Sequence, residues 1–232
     1  MALLNICASR VPGMTHAEYC RYLKDNHARL VLGTEPVIRP LSSYVQQHVF
    51  DAAYRDQAPA ARFDSVSHIN AASVADHMAV TATKEYKEIV APDEPNFSDS
   101  RTVLALMLEQ SPLETPVRGP SQFRLLHYLA GNSDTSNDTL QARWADAHAA
   151  VLKEQPSLFN SVRRAVLYKA LEGPMGPPAY GGMCELGFLA ANDAPAMSAY
   201  ARAMEARLQS FIEPEKSFFL LAEAVPVIGT IW

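Results

Sequence analysis

Two short stretches decide the fold of this chain, YLKDNHA at residues 22–28 and RWADAHA at residues 143–149. Both contain the pattern Asp-x-His-Ala, and their histidines, His27 and His148, lie 121 positions apart (148 minus 27). A match this short arises by chance in many sequences, so the segments around it must decide whether it marks a repeat. A fixed offset shared by longer segments predicts one structural unit that occurs twice.

The segments around the two matches follow the same order. An apolar, strand-like run comes first, followed by a polar loop and then by apolar residues at helical spacing. Thr15 and Ser136 are the expected helix N-caps, and Glu18 follows Thr15 at the spacing of a capping box. Two more strand-like runs, a second helix and a last apolar strand complete each copy. The order β-α-β-β-α-β therefore occurs twice, which is the ferredoxin-like pattern.

We therefore predict an α+β fold of two ferredoxin-like repeats, at residues 1–110 and 121–232. Residues 111–120 contain three prolines and are predicted to be a linker. One such unit leaves a sheet face uncovered, whereas two units in one chain can cover both faces. The predicted architecture is an intramolecular pseudo-dimeric α+β barrel. The apolar residues Ile231 and Trp232 are expected to pack against it or against a partner.

Composition excludes several classes of partner. The chain has 232 residues, of which 48% are hydrophobic and 19% charged, as in ordinary globular proteins. A net charge of −5 argues against a nucleic-acid partner, and no apolar run approaches the roughly 20 residues of a membrane helix. Three widely spaced cysteines without a CxxC pair favour a reducing compartment, so we expect a cytoplasmic protein. No metal-ligand spacing or phosphate-binding glycine loop is found, and no metal site is predicted.

Several motifs resemble the EthD-like family of dimeric α+β-barrel proteins. They are PGMT at 12–15, EY at 18–19, YLKDNHARLV at 22–31, YVQQH at 44–48 and DEPNFSD at 93–99. The resemblance covers nearly the whole chain and is clearer in the first repeat. It implies small, mostly cofactor-free proteins of aromatic or polyketide pathways, including decarboxylases, dehydratases, cyclases and, in related barrels, cofactor-independent oxygenases. No cofactor is therefore expected, and the chemistry must be argued from the site.

His27 is the first candidate for a catalytic residue, because histidine can take up or release a proton near neutral pH. Its recurrence as His148 supports the alternative that both histidines fix a helix to the sheet. The next candidates lie on one face of a predicted strand, because side chains alternate along it. This row comprises Tyr44, Gln46, His48 and Phe50, and the matching row of the second repeat comprises Ser161, Arg163, Ala165 and Leu167.

The difference between the two rows is what one working pocket and one degenerate pocket would produce. The alternative is a polar strand face exposed to water. His68, which aligns with Glu185, could join His48 and Tyr44 as an acid–base set. His16 and His77 read as solvated helix positions. We predict catalytic roles for His27, His48, His68 and Tyr44, and substrate binding by Gln46, Tyr22, Phe50, Arg163 and His148.

The sequence favours a cofactor-free lyase or cyclase that acts on an aromatic or polyketide-like natural product. Loss of CO2 or water, or a ring closure, needs only proton transfer, electrostatic support and orientation of a small hydrophobic or aromatic substrate. Two alternatives stay open, a cofactor-independent monooxygenase of an aromatic polyketide and a non-catalytic small-molecule-binding barrel. A homodimer is compatible with the expected edge strands.

Overall fold

The computed structural model describes residues 1–50, 63–113, 119–172 and 178–229. The predicted order β-α-β-β-α-β is present twice within these residues, so the α+β fold class is confirmed. Residues 114–118 of the predicted linker, and the terminal Ile231 and Trp232, lie outside the described residues. None of the helices in the described part is both long and apolar enough to cross a bilayer.

The first repeat contains four strands and two interrupted helices. Each helix changes from α to π geometry, in which the hydrogen bonds span five residues instead of four. The elements are β1 (Ala2–Ala8), α1 (His16–Tyr22), π1 (Leu23–His27), α2 (Ala28–Leu32), α3 (Glu35–Ile38), β2 (Leu41–Val49), β3 (Ser65–Ala71), α4 (Val74–Ala82), π2 (Tyr86–Val90), a 3₁₀ helix (Ala91–Asn96) and β4 (Leu104–Pro112).

The second repeat has the same order with continuous α-helices. The longest helix is 18 residues, and Ser136 caps its N-terminus by accepting a hydrogen bond from the Thr139 main-chain N–H. The elements are β5 (Phe123–Leu129), α5 (Asn137–Glu154), α6 (Pro156–Ser161), β6 (Val162–Ala170), β7 (Gly182–Phe188), a short 3₁₀ helix (Ala191–Asp193), α7 (Ala194–Leu208) and β8 (Phe218–Ile228).

Two strands are shared between the compact units into which the chain divides. One unit comprises residues 1–107 and 224–231, and the other comprises mainly residues 108–223. The break therefore falls inside β4 and β8. The end of β4 pairs with β6, from Leu108 opposite Ala170 to Pro112 opposite Val166, so two residues of the predicted linker belong to a strand. The strand order β1-β3-β2-β8-β5-β7-β6-β4 closes as an antiparallel barrel, as predicted.

The register of β2 and β3 decides which side chains share a face in the first unit. Tyr44 lies opposite Ile69, Gln46 opposite Ser67 and His48 opposite Ser65. Directly paired residues of antiparallel strands project to the same side of the sheet. Tyr44, Gln46 and His48 therefore face one side, as the alternation predicts, and this is the side covered by the helices.

The helix-covered side of the second unit is filled by large side chains. Trp144 and Tyr200 are fully buried, as are Met197 and Met204. The other side of that sheet carries a buried ionic cluster, in which the Glu185 carboxylate accepts from Nε of Arg164 at 2.7 Å and lies 3.1 Å from Nε of Arg124. Pairing satisfies the glutamate, which would be costly to bury alone.

Candidate functional site

A largely apolar cavity of about 220 Å³ lies in the first unit, between the sheet and its helices. Its walls come from β1, β2, β3 and the two interrupted helices. Among the residues that line it are the aliphatic Leu4, Ile6, Leu23, Val31, Ile69 and Val80, and the polar or aromatic Tyr19, His27, Tyr44, Ser67, Tyr86 and Glu94. A few polar groups in an otherwise apolar cavity are typical of small-molecule sites.

His27 and Asp93 form a hydrogen-bonded pair at this cavity. Nδ1 of His27 lies 2.9 Å from Oδ2 of Asp93, and the two side chains are 10% and 15% exposed. Because an ionised carboxylate can only accept, Nδ1 carries a proton, and in the neutral imidazole Nε2 presents a lone pair. Phe97 packs against the imidazole at 4.9 Å between ring centres. The arrangement is that of a general base whose tautomer and orientation are set by a carboxylate.

Asp93 is held in its ionised form by three donors. The Tyr22 hydroxyl donates to Oδ1 at 2.6 Å, and the Asn96 side-chain amide donates to the same oxygen at 3.2 Å. Burial opposes ionisation, but the hydrogen bonds from Tyr22, His27 and Asn96 outweigh it and lower the pKa of Asp93. The same bond to Asp93 raises the pKa of Tyr22. Tyr22, which the sequence predicts to bind substrate, thus contacts Asp93, the hydrogen-bond partner of His27.

The π geometry places His27 in this position. Segment π1 ends at His27, and the main-chain N–H of Ala28 bonds the carbonyl of Leu23, five residues earlier. That carbonyl also accepts a hydrogen bond from Nε2 of Gln46 at 2.9 Å. Gln46 is completely buried, so β2 anchors the irregular turn of the helix. Single π turns inside α-helices are frequently found at functional sites.

The polar row on β2 forms a hydrogen-bonded chain. Nε2 of His48 donates to Oε1 of Gln46 at 3.1 Å, and Nε2 of Gln46 donates to the Tyr44 hydroxyl at 3.2 Å. Burial raises the pKa of Tyr44, so the phenol stays protonated near neutral pH. Burial, together with the charges of His16 and Lys24, lowers the pKa of His48 to about 4. Tyr44 and Gln46 are buried and His48 is partly buried, so the row is not a wet strand face.

Two more hydroxyl groups that line the cavity have hydrogen-bond partners. Tyr86, which begins π2, donates to Oε1 of Glu94 at 2.8 Å. Burial and the charge of Glu94 raise the pKa of Tyr86. The Tyr19 hydroxyl lies 2.7 Å from Oγ of Ser65. These groups offer neutral hydrogen-bond donors and acceptors to a ligand.

The proposed acid–base set of His48, His68 and Tyr44 is not formed. His68 pairs with Val45, so it lies on the opposite side of the sheet, where its Nδ1 is 3.5 Å from Nε2 of Gln47. A one-residue difference in register inverts the face of a strand residue. Phe50 follows the end of β2 and is partly buried, but it is not among the residues described as lining the cavity.

Arg163 and His148 belong to the second unit. Arg163 lies at a register shift of β6, between Val162 and Arg164, and donates to the main-chain carbonyl of Asn160. Nδ1 of His148 lies 2.8 Å from the Tyr200 hydroxyl, so the repeated histidine has a phenol where His27 has a carboxylate. The roles assigned to both residues stay predictions.

Sequence reasoning missed Asp93, Tyr86 and Glu94 as site residues. Asp93 and Glu94 are in the DEPNFSD motif, which contributed to the family resemblance, but their 66-residue separation from His27 hides the contact. His16 and His77 are also not solvated. His16 bonds Asp64, and His77 is buried with Nε2 3.1 Å from the carbonyl of Ala2. Within the described residues no cluster of three or more metal-ligating side chains occurs.

Comparison with known proteins agrees with this architecture. The EthD domain family matches residues 11–101, which include His27, Tyr44 and Asp93. No curated protein matches the chain significantly. An anthrone oxidase-like protein of known structure covers 97% of this chain and 90% of its own, with 13% identity and a TM-score of 0.68.

Two other solved structures share the fold. A Fusobacterium nucleatum protein assigned provisionally as a monooxygenase is 7% identical, with coverage of 100% and 96% and a TM-score of 0.57. A mutant chlorite dismutase from Candidatus Nitrospira defluvii is 9% identical, with coverage of 97% and 92% and a TM-score of 0.52. Residues 11–101 of this chain match the EthD domain family, and the chain has the fold of the dimeric α+β-barrel proteins.

Proposed function

We propose that this chain is a cofactor-independent monooxygenase that deprotonates a small aromatic ketone or phenol and lets the resulting carbanion react with dioxygen. The observation that carries the proposal is the His27–Asp93 pair at the wall of an apolar cavity. Asp93 fixes the proton on Nδ1, so Nε2 of His27 is the acceptor for a substrate proton. A positioned base of this kind contributes about 10²- to 10⁴-fold to a rate.

The reaction balances without any bound redox group. His27 removes a proton from a CH2 group that is conjugated with a carbonyl. The carbanion is stabilised by a hydrogen bond donated to the carbonyl oxygen, which gains negative charge. The carbanion is oxidised by dioxygen, forming a C–O bond, and the peroxide takes a proton to become a hydroperoxide. Loss of the remaining C–H proton and cleavage of the O–O bond release water. In sum, CH2 and O2 give C=O and H2O.

The groups around the cavity suit such a substrate. The hydroxyl of Tyr44 remains protonated and can donate to a carbonyl oxygen that gains charge. An apolar cavity of about 150 Å³ is large enough for benzene, so a cavity of about 220 Å³ fits one or two fused rings. The apolar walls favour a flat aromatic body over a polar one.

The solved structures support an oxygenase more than a lyase, since one relative is described as anthrone oxidase-like and another provisionally as a monooxygenase. A lyase or cyclase is the second candidate. The hydrogen-bonded chain from His48 through Gln46 to Tyr44 favours it, because a phenol at the cavity could protonate a leaving group.

Oxygen uptake and product mass test the proposal directly. The purified chain is incubated with anthrone or with the smaller indanedione, without added metal or cofactor, in air and under nitrogen. We expect one O2 consumed for each ketone formed, only in air, with the two-ring compound preferred. A product lighter by CO2 or water and formed in both atmospheres would instead support the lyase. If either compound raises the melting temperature of the protein but is not converted, the protein is a non-catalytic binding protein.

Two matched substitutions locate the base. His27→Gln is expected to lower kcat by about 10²-fold or more, because it removes the proton acceptor and keeps a similar volume. His148→Gln changes the equivalent residue of the other repeat and is expected to leave kcat within about twofold. Equal effects of the two substitutions would contradict the assignment of His27.

A further inference from the structure

A second set of reactive side chains surrounds His16 in the first unit. Nδ1 of His16 lies 2.8 Å from Oδ1 of Asp64, and Nε2 lies 3.4 Å from Sγ of Cys20. His16 and Cys20 are one helical turn apart on α1 and share a face. A thiol, an imidazole and a carboxylate thus follow one another in hydrogen-bond reach. This is the order in which a base, oriented by a third group, activates a nucleophile.

Asp64 is fixed independently of His16. It lies just before β3, and its Oδ2 accepts from the main-chain N–H of Arg10 at 2.8 Å, while the Arg10 guanidinium donates to Oδ1. Asp64 is buried and His16 is mostly buried, whereas Cys20 is partly exposed. The carboxylate end of the series is therefore held by several hydrogen bonds, and the cysteine at the other end is partly exposed.

The electrostatics favour a proton on the imidazole. The hydrogen bonds with Asp64 and Cys20 raise the pKa of His16 to about 10, although burial opposes this. Burial would keep Asp64 neutral, but the bonds from His16 and Arg10 lower the pKa of Asp64. Two other titratable groups lie close enough to be affected: the charge of His16 lowers the pKa of His48, and Cys20 contributes to raising that of Tyr19.

We propose that Cys20 is a site of thiol–disulfide exchange with small disulfides, with His16 as its proton partner and Asp64 as the residue that positions His16. The Cys20 sulfur attacks one sulfur of the small disulfide as a thiolate. A new S–S bond forms, the old one breaks, and the leaving thiolate takes a proton from His16 or from water. No other oxidant is required, and an added thiol reverses the step.

The other two cysteines serve as internal controls. Cys7 and Cys184 are both fully buried, and none of the three cysteines forms a disulfide. Burial raises the pKa of Cys184 to about 12, and its sulfur lies 3.9 Å from the Tyr200 hydroxyl. A buried thiol in apolar surroundings is inert. Neither His16 nor Cys20 is among the residues described as lining the His27 cavity, so the two sites can be tested separately.

The test measures how fast the folded full chain forms a mixed disulfide with oxidised glutathione between pH 6 and pH 8. Intact mass gives the rate, and peptide mapping assigns the cysteine. In the native chain we expect adduct on Cys20 at a rate that depends less steeply on pH than in His16→Asn, since the imidazole of His16 lies 3.4 Å from the sulfur and is proposed to take its proton. In His16→Asn the rate should rise about tenfold for each pH unit, as for an ordinary thiol.

Asp64→Asn supplies a second variant if His16→Asn does not fold, and circular dichroism checks both. Asp64→Asn is expected to make the rate of adduct formation rise more steeply with pH than in the native chain. His27→Gln is expected to leave the pH dependence of that rate unchanged. Absence of adduct on Cys20, or a native rate that also rises tenfold for each pH unit, would overturn the proposal. Preferential reaction of Cys7 or Cys184 would overturn it as well.

Discussion

Asp93 can influence a bound substrate only through His27, because its carboxylate is occupied by His27, Tyr22 and Asn96 and does not line the cavity. It is therefore a positioning residue. We expect Asp93→Asn to lower kcat by about 10²- to 10⁴-fold, with KM changed by less than about threefold. Asp93→Glu should restore part of the loss, since it returns the charge.

Tyr22→Phe is the matched control for this prediction. It removes one donor to Asp93 and leaves the His27 bond in place, so kcat should fall by less than about tenfold, of the order of one lost hydrogen bond. Steady-state kinetics of the three variants measures both constants. A purely structural role for Asp93 would lower the amount of folded protein and leave kcat per folded molecule unchanged.

His48 should make the stability of the protein depend on pH. Its pKa is about 4 in the folded chain and about 6.5 when unfolded, so between these values the unfolded chain binds more protons. Stability conferred by neutral His48 is thus present above pH 6.5 and is lost as the pH falls towards 4. We expect native protein to lose about 2 to 3 kcal/mol more than His48→Asn between pH 7 and pH 4.5.

Urea unfolding at pH 7 and pH 4.5 measures this difference in the free energy of unfolding. His16 should make stability depend on pH in the opposite direction. The pKa of His16 is raised to about 10, so its stabilisation is complete below pH 6.5 and is lost as the pH rises towards 10. His16→Asn should therefore flatten the alkaline side of the stability profile. Parallel acid profiles for the native chain and His48→Asn would refute the assignment of a neutral, partly buried His48.

At the scale of elements, the contact between β2 and π1 depends on Gln46. Its amide donates to the Leu23 carbonyl and is completely buried. Gln46→Met keeps the volume but removes one of the two donors to that carbonyl, together with the bonds to His48 and Tyr44, at a cost of about 1 to 3 kcal/mol. A shift of the π turn also displaces His27, so activity should fall by about tenfold to 10²-fold.

Gln47→Met is the control, because Gln47 is equally buried, adjacent in sequence and on the opposite side of the sheet. It should cost a similar free energy of unfolding and leave activity within about twofold. Urea unfolding and oxygen uptake on the same preparations separate the two effects. Equal losses of activity would mean that Gln46 acts through general stability and not through the position of His27.

The same elements show what sequence can and cannot provide. Thr15 and Glu18 form the predicted capping box, because capping is decided by residues three positions apart. The alternation of β2 correctly places Tyr44, Gln46 and His48 together. The π turns at Leu23–His27 and Tyr86–Val90 are not predictable, since they depend on tertiary partners such as Gln46. For the same reason neither the side of β3 occupied by His68 nor the contact of His27 with Asp93 could be read from local spacing.

At the scale of the whole molecule, the two repeats differ most where the first has its cavity. Leu23 lines that cavity, and Trp144, 121 positions later (144 minus 23), is fully buried in the second repeat. An indole at this position occupies the space that a leucine leaves open. The β-α-β-β-α-β scaffold is retained in both copies, while cavity, carboxylate partner and π turns occur together in the first. Because these features occur together, the first repeat is favoured as the one that holds the active site.

Exchanging these two residues tests which repeat is active. Leu23→Trp should fill the first cavity, abolish binding of indanedione and lower activity below detection, at a cost of about 1 to 3 kcal/mol for overpacking. Trp144→Leu should cost about 2 to 4 kcal/mol for the cavity that it creates and leave activity of the folded protein within about twofold. Calorimetric binding and oxygen uptake, normalised to folded protein, measure both. Retained activity in Leu23→Trp together with its loss in Trp144→Leu would move the working site to the second repeat, because a filled cavity cannot hold the substrate that His27 is proposed to deprotonate.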